Sequence, residues 1–161
     1  SSTQGILNMN GPIQQLQKYV GKFLGNGINH ENESFLGELE IKPMINAKGL
    51  IISFCATGKD ETIFHQEETI IAPTETENIA LWTLNSNVPY FYKHDYVFSE
   101  PVEGATATFK FYHNKPEDLQ SFREEIAIDL WPDGNISYRY SWGMPGGDYK
   151  ERSGLRLARK S

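Results

Sequence analysis

The stretch FREEIAIDLWPDGNISYRYSW, residues 122–142, decides the fold. Its first half alternates with period two. Glu124, Ile126, Ile128 and Leu130 fall on one side, Arg123, Glu125, Ala127, Asp129 and Trp131 on the other. A period of two is the signature of a strand, whose successive side chains point to opposite faces. The second half repeats the pattern, with Ile136, Tyr138, Tyr140 and Trp142 opposed to Asn135, Ser137, Arg139 and Ser141. Between them lies Pro132-Asp133-Gly134-Asn135. Asp-Gly and Gly-Asn reach positive φ at little cost, so this segment reads as the turn of a β-hairpin.

The same alternation recurs in both directions from this hairpin. Strand-like runs lie near 22–29, 34–42, 49–57, 62–71, 78–85, 89–98, 105–113, 122–131, 135–142 and 150–159. Turn-forming residues separate them, including Gly58-Lys59-Asp60, Asn85-Ser86-Asn87 and Pro145-Gly146-Gly147. The connections are short, which favours a meander in which each strand pairs with the next. About ten strands in one open sheet would leave two exposed edges, and closure removes them. Gly25, Gly27 and Gly37 fall inside early strands, where glycine marks bends or close backbone approach. The expected fold is all-β, an antiparallel meander barrel of about 8–10 strands, with a two-sheet sandwich as the alternative. Ahead of it, Gly11-Pro12 opens a short helix whose apolar face is Ile13, Leu16 and Val20, ending near Gly21. Residues 1–10 are polar and expected to be loose. Residues 1–161 are expected to form one domain, as their number suits.

Composition excludes several classes of function. The net charge is −6, and the one basic cluster is Arg152, Arg156, Arg159 and Lys160. An acidic surface repels phosphate backbones, so nucleic acid is not expected as a partner. No run of eighteen apolar residues exists to span a membrane as a helix. Cys55 is the only cysteine, which rules out an internal disulfide and agrees with a reducing compartment. Ser1–Asn10 lacks the basic start and apolar stretch of a signal peptide, so the chain is expected in the cytoplasm. The four histidines are scattered without metal-ligand spacing, and no metal is expected. The glycine-rich 143–148 segment lacks the Lys-Ser/Thr of a phosphate loop. It reads as a flexible hairpin loop placed to act as a lid.

A capping helix, the triplet Gly21-Lys22-Phe23 opening the first strand, and Arg156 or Arg159 near the end make a recognisable order. It resembles the calycin superfamily, which holds lipocalins, fatty-acid-binding proteins and nitrobindin-like barrels. In lipocalins the aromatic is usually Trp, and a late Arg packs across it; here the position holds Phe23. The resemblance implies a barrel interior that binds a small apolar or amphipathic molecule. It also brings haem into view through the nitrobindin-like members, which ligate it by a histidine late in the chain. The last histidine here is His113, so haem is disfavoured and no cofactor is expected. His113, His94 and His65 are the residues that keep it in consideration.

The densest aromatic run is Pro89 to Phe98, where Tyr90, Tyr92, His94, Tyr96 and Phe98 share a strand face. Rings supply contact area and their polar tips orient a guest, so such a face suits a cavity wall. Tyr138, Tyr140 and Trp142 form a second such face. Arg139 belongs in solvent if that face is inside; turned inward it would clamp a carboxylate. His65 and Glu67 share a face with Ile63, Thr69 and Ile71, as an acid–base pair or as a wet outer patch. Arg123, Glu125 and Asp129 read as a solvated outer wall. The leading expectation is passive binding of a small apolar or amphipathic molecule, lined by Tyr92, His94, Tyr138, Tyr140, Trp142 and Arg139. The alternatives are an isomerase-, lyase- or hydrolase-type enzyme with His94 or His65 as general base, and a protein-interaction module or homodimer. The absence of a catalytic motif leans the sequence away from an enzyme.

Overall fold

The computed structural model describes residues 11–161, so the expectation for residues 1–10 lies outside the described part. Helix α1 (Pro12–Leu16) runs into a 3-10 turn, Gln17–Tyr19. Ten strands follow: β1 (Gly21–Ile28), β2 (Ser34–Met44), β3 (Gly49–Thr57), β4 (Ile63–Pro73), β5 (Ile79–Asn85), β6 (Val88–Val97), β7 (Ala107–His113), β8 (Arg123–Leu130), β9 (Ile136–Gly143) and β10 (Lys150–Arg159). Each pairs antiparallel with its sequence neighbour, and β1 pairs with β10, so the sheet closes into a barrel. The sandwich alternative is thereby set aside.

The hairpin at 122–142 forms as its sequence dictates. Trp131 and Asn135 exchange the closing bond, with Trp131 N donating to Asn135 O at 3.0 Å. Gly134 takes φ +87°, which L side chains rarely adopt. Asp133 accepts from Asn135 N at 3.0 Å and from Arg156 at 2.8 Å. That backbone bond first, and Arg156 second, hold the Asp133 carboxyl below its ordinary range. Seam closure depends on another glycine: a Cβ at Gly25 would collide with the Arg156 carbonyl of β10.

Antiparallel order puts the starts of β1, β3, β5, β7 and β9 at one barrel end. Helix α1 plugs that end. Leu16 is fully buried, Tyr19 stacks on Phe23 at 6.3 Å, and the Tyr19 hydroxyl donates to the Trp131 carbonyl at 3.4 Å. Arg159 lies 4.8 Å from the centre of the Phe23 ring and donates to the Val20 carbonyl at 2.8 Å. Arg156 instead stacks on Trp131 at 4.2 Å. Of the two arginines left open by the sequence, Arg159 is therefore the one that packs across the first-strand aromatic. The apolar core, with Leu39, Ile41, Leu50, Ile52, Ile71, Leu81, Phe109, Ile128 and Leu157, fills this capped half.

The charged outer face of β8 is not solvated, contrary to expectation. Arg123 is fully buried and Asp129 is 1% exposed. Neighbouring strands fold long polar side chains over them. Arg139 forms a two-pronged pair with Asp129 at 2.7 and 2.9 Å, and Thr108 donates to Asp129 at 2.8 Å. Arg123 donates to the Met144 and Gly147 carbonyls at 3.2 and 2.9 Å. The 143–148 loop is thus bound to the barrel wall by a buried guanidinium. Elsewhere the outer face carries an apolar patch, where exposed Trp82 stacks on exposed Phe91 at 5.3 Å and Leu84 follows on the same strand.

The space around the Gly134 α-carbon is open. Gly134→Ala should therefore destabilise through φ alone, by about 1–2 kcal/mol in urea unfolding. No loss would mean that the turn relaxes to negative φ.

Candidate functional site

At the end opposite α1 the barrel is hollow. The cavity is about 330 Å³, near the lower end of the range for small-molecule pockets. One side is apolar, formed by Phe35, Phe54, Ala56, Phe64 and Leu155, with Trp142 and Met144 toward the rim. The other side is polar and holds His65, Asn85, Asn87, Glu124 and Tyr140.

A change of register builds part of this wall. Ala56 pairs with His65 and Thr57 with Ile63, so Phe64 has no cross-strand partner. The bulge brings both Phe64 and His65 to the cavity and turns Ile63 outward, where it is exposed. Ile63 therefore does not share the inner face with His65 and Glu67, as strict alternation predicts.

Two carboxylates organise the polar side. Glu67 is buried beneath the wall. It accepts from the Tyr138 hydroxyl at 2.6 Å, the Thr69 hydroxyl at 2.8 Å and His65 Nε2 at 3.1 Å. His65 Nδ1 faces the Asn87 amide nitrogen at 3.1 Å. That nitrogen donates, so the ring's proton belongs on Nε2, toward Glu67. Glu124 accepts on Oε1 from the Tyr92 hydroxyl at 2.5 Å and from His94 Nε2 at 2.9 Å. Asn85 supports Tyr92 by donating to its hydroxyl oxygen at 3.2 Å. His94 Nδ1 is buried without a partner. A proton there would be a donor with no acceptor, so His94 also carries its proton on Nε2.

Burial, and then the charge of Glu124, push the Tyr92 phenol far above its ordinary value. Burial and Glu67 do the same to Tyr138.

The expected site residues divide into three groups. Tyr138, Tyr140 and Trp142 border the cavity. Tyr92 and His94 stand behind the wall and hold Glu124. Arg139 is on the outer face with Asp129 and Glu151, which corrects its placement among lining residues. The inward aromatic face of β9 forces Arg139 out, because adjacent residues point oppositely. Tyr90 and Phe98, at the ends of the aromatic run, are exposed. Glu124 shares its side of β8 with Ile126, Ile128 and Leu130 and is absent from the expected site residues. Its signal was a carboxylate at the head of an Ile-Ile-Leu face. Phe35, Phe54, Phe64 and Leu155 gave no signal apart from being apolar.

The expected histidine base would need a free imidazole nitrogen at the cavity. His65 uses both nitrogens, and His94 is sealed. The carboxylate contact required of a base is present at both histidines, yet neither offers the nitrogen. The same geometry bears on haem. Neither ring presents a ligating nitrogen, and His113, whose Nδ1 bonds the Lys93 carbonyl at 2.9 Å, is not part of the lining. These three residues do not fit the group. Among the described residues, no set of three or more His, Cys, Asp or Glu side chains is arranged to hold a metal ion. None of their helices is long and apolar enough to cross a membrane.

The fold resembles a solved structure, that of Rv2717c from M. tuberculosis. The two share 13% identity with a TM-score of 0.63, over 94% of this chain and 99% of that one. At that identity the likeness concerns fold. No family model matches the sequence, and no curated protein matches it.

The raised phenols give a pH dependence with a definite sign. A phenol pushed up in the folded chain keeps its proton where the unfolded chain loses it, near pH ~10. Its contribution to stability is whole below that pH and drains away as pH climbs toward the folded value. In an alkaline titration followed at 295 nm, Tyr92 and Tyr138 should ionise only as the barrel unfolds. Tyr138→Phe should remove one late-ionising phenol and cost about 1–3 kcal/mol, since Glu67 loses a donor. Ionisation of all tyrosines before unfolding would contradict the burial of these two.

Proposed function

We propose that the chain is a binding protein of calycin type that takes a small amphipathic molecule into the open half of its barrel, without chemistry. The observation that carries this reading is the cavity: one apolar wall faces one polar wall, in the half that α1 and the core leave unfilled. Rings and aliphatic groups bury the guest's hydrocarbon, and each buried methylene is worth about 0.8 kcal/mol. Glu124, His65 and the asparagines set its orientation. The site is pre-formed, because the polar side chains already hold one another in hydrogen bonds, which lowers the ordering cost of binding. Arg123 keeps the 143–148 loop in place at the rim rather than leaving it to swing as a lid.

A second reading concerns the outer surface. The exposed Trp82–Phe91 stack with Leu84 suits self-association or a protein partner. The two readings are compatible, since one uses the inside of the barrel and the other the outside.

The neutral dye N-phenyl-1-naphthylamine tests the cavity. It should bind one to one with a blue-shifted emission. Ala56→Trp, which places an indole on the apolar wall, should weaken binding at least about ten-fold while the circular dichroism stays that of the parent. An unaltered chain that leaves the dye dark would overturn the reading. For the outer patch, sedimentation should show a dimer that forms with concentration and is lost in Trp82→Glu. A monomer at every concentration would exclude self-association.

A further inference from the structure

We infer that the cavity selects a guest with a cationic head, a primary ammonium on an apolar body, and rejects carboxylate heads. The inference rests on the binding reading above and names its ligand class.

The polar side of the cavity carries one carboxylate, Glu124, with a second, Glu67, buried behind the wall, and no lysine or arginine pairs with either. Among the described residues, the ion-pair partners of Glu67 and Glu124 are His65 and His94 alone. Each of those rings directs Nε2 at its carboxylate. The arginines nearby are committed elsewhere. Arg152, which lines the rim, stacks on Trp142 at 4.3 Å and donates to the Trp142 and Asp148 carbonyls at 3.1 and 2.7 Å. Arg123 is spent on loop carbonyls. A buried carboxylate lacking a cation is costly, and a cation brought by a guest would repay that cost.

Glu124 is the carboxylate placed to receive it. It lines the cavity, and both of its donors fall on Oε1, which leaves Oε2 for a guest. A separate observation points the same way. The Tyr140 hydroxyl is buried without a partner, on a residue of the same cavity. A phenolic oxygen can accept as well as donate, so it is open to accept one of the three N–H groups of an ammonium. A carboxylate head beside Glu124 would instead meet like charge. The apolar wall of Phe35, Phe54 and Leu155 would take the hydrocarbon.

Calorimetric titration of the intact chain at pH 7 with octylammonium, 1-octanol and octanoate tests this. The three share a chain length and differ in the head. Octylammonium should bind about ten-fold tighter than octanol, the gap between a charged and a neutral hydrogen bond, and octanoate should bind weakest. Glu124→Gln should bring the octylammonium preference over octanol to within about three-fold. The head-group series on the unaltered chain decides the matter even if that variant does not fold. Octanol binding with octanoate equal to or tighter than octylammonium would overturn the cationic head and leave the binding cavity standing. Retention of the full preference in a folded Glu124→Gln would also overturn it. If none of the three binds, the cavity reading itself falls.

Discussion

Two carboxylates face the inside of this barrel, and the rest of the interior is arranged around satisfying them. Glu67 and Glu124 sit on inward positions of β4 and β8, where an all-apolar barrel would carry Leu or Ile. An unpaired buried carboxylate would cost more than a small domain's entire stability margin. The donors that prevent this are spread over three strands, His65 and Thr69 on β4, Tyr92 and His94 on β6, and Tyr138 on β9, while Asn85 on β5 supports Tyr92. These groups cannot also pack as a dry core. The interior therefore splits into a filled half under α1 and a half whose polar wall borders open space. Hollowness and polarity have one origin here.

The outer wall follows the same logic on the other side of β8. Arg123 and Asp129 are charged, outward and buried, a combination that needs strict pairing. Asp129 obtains it from Arg139 and Thr108, and the bond to Asp129 raises the Arg139 guanidinium further above its already high value. Arg123 is met only in part, its two Nη groups donating to loop carbonyls while Nε stays unpartnered, and those bonds hold the glycine-rich segment against the wall. One strand thus presents Glu124 to the cavity and fixes the rim through the adjacent Arg123.

The strand order was legible in the sequence because alternation is local. Each run from β1 to β10 lies within a few residues of its expected place, and Asp133-Gly134 announced its turn through φ chemistry alone. The inward aromatic face of β9 followed from the same period. What alternation does not encode is the bulge, which shifted Ile63 out and Phe64 in, or the burial of outward charges by neighbouring strands, which turned the expected wet face of β8 into a sealed one. Arg139 illustrates the limit. Its orientation follows from parity, but its contact with Asp129 is diagonal across the hairpin, where Asp129 faces Ser137 and Arg139 faces Ala127, and alternation alone does not specify diagonal partners. The pairing of His65 with Glu67 was visible as a spacing of two. The contact of His94 and Tyr92 with Glu124 was not, because thirty residues of chain separate β6 from β8 at that point.

The most direct examination of the account is a crystal structure of the chain soaked with octylammonium. The alkyl chain should lie along Phe54 and Leu155, with its nitrogen within hydrogen-bond distance of a Glu124 carboxylate oxygen. An interior packed solid with side chains, or an ammonium turned out to solvent while Glu124 keeps only Tyr92 and His94, would contradict it.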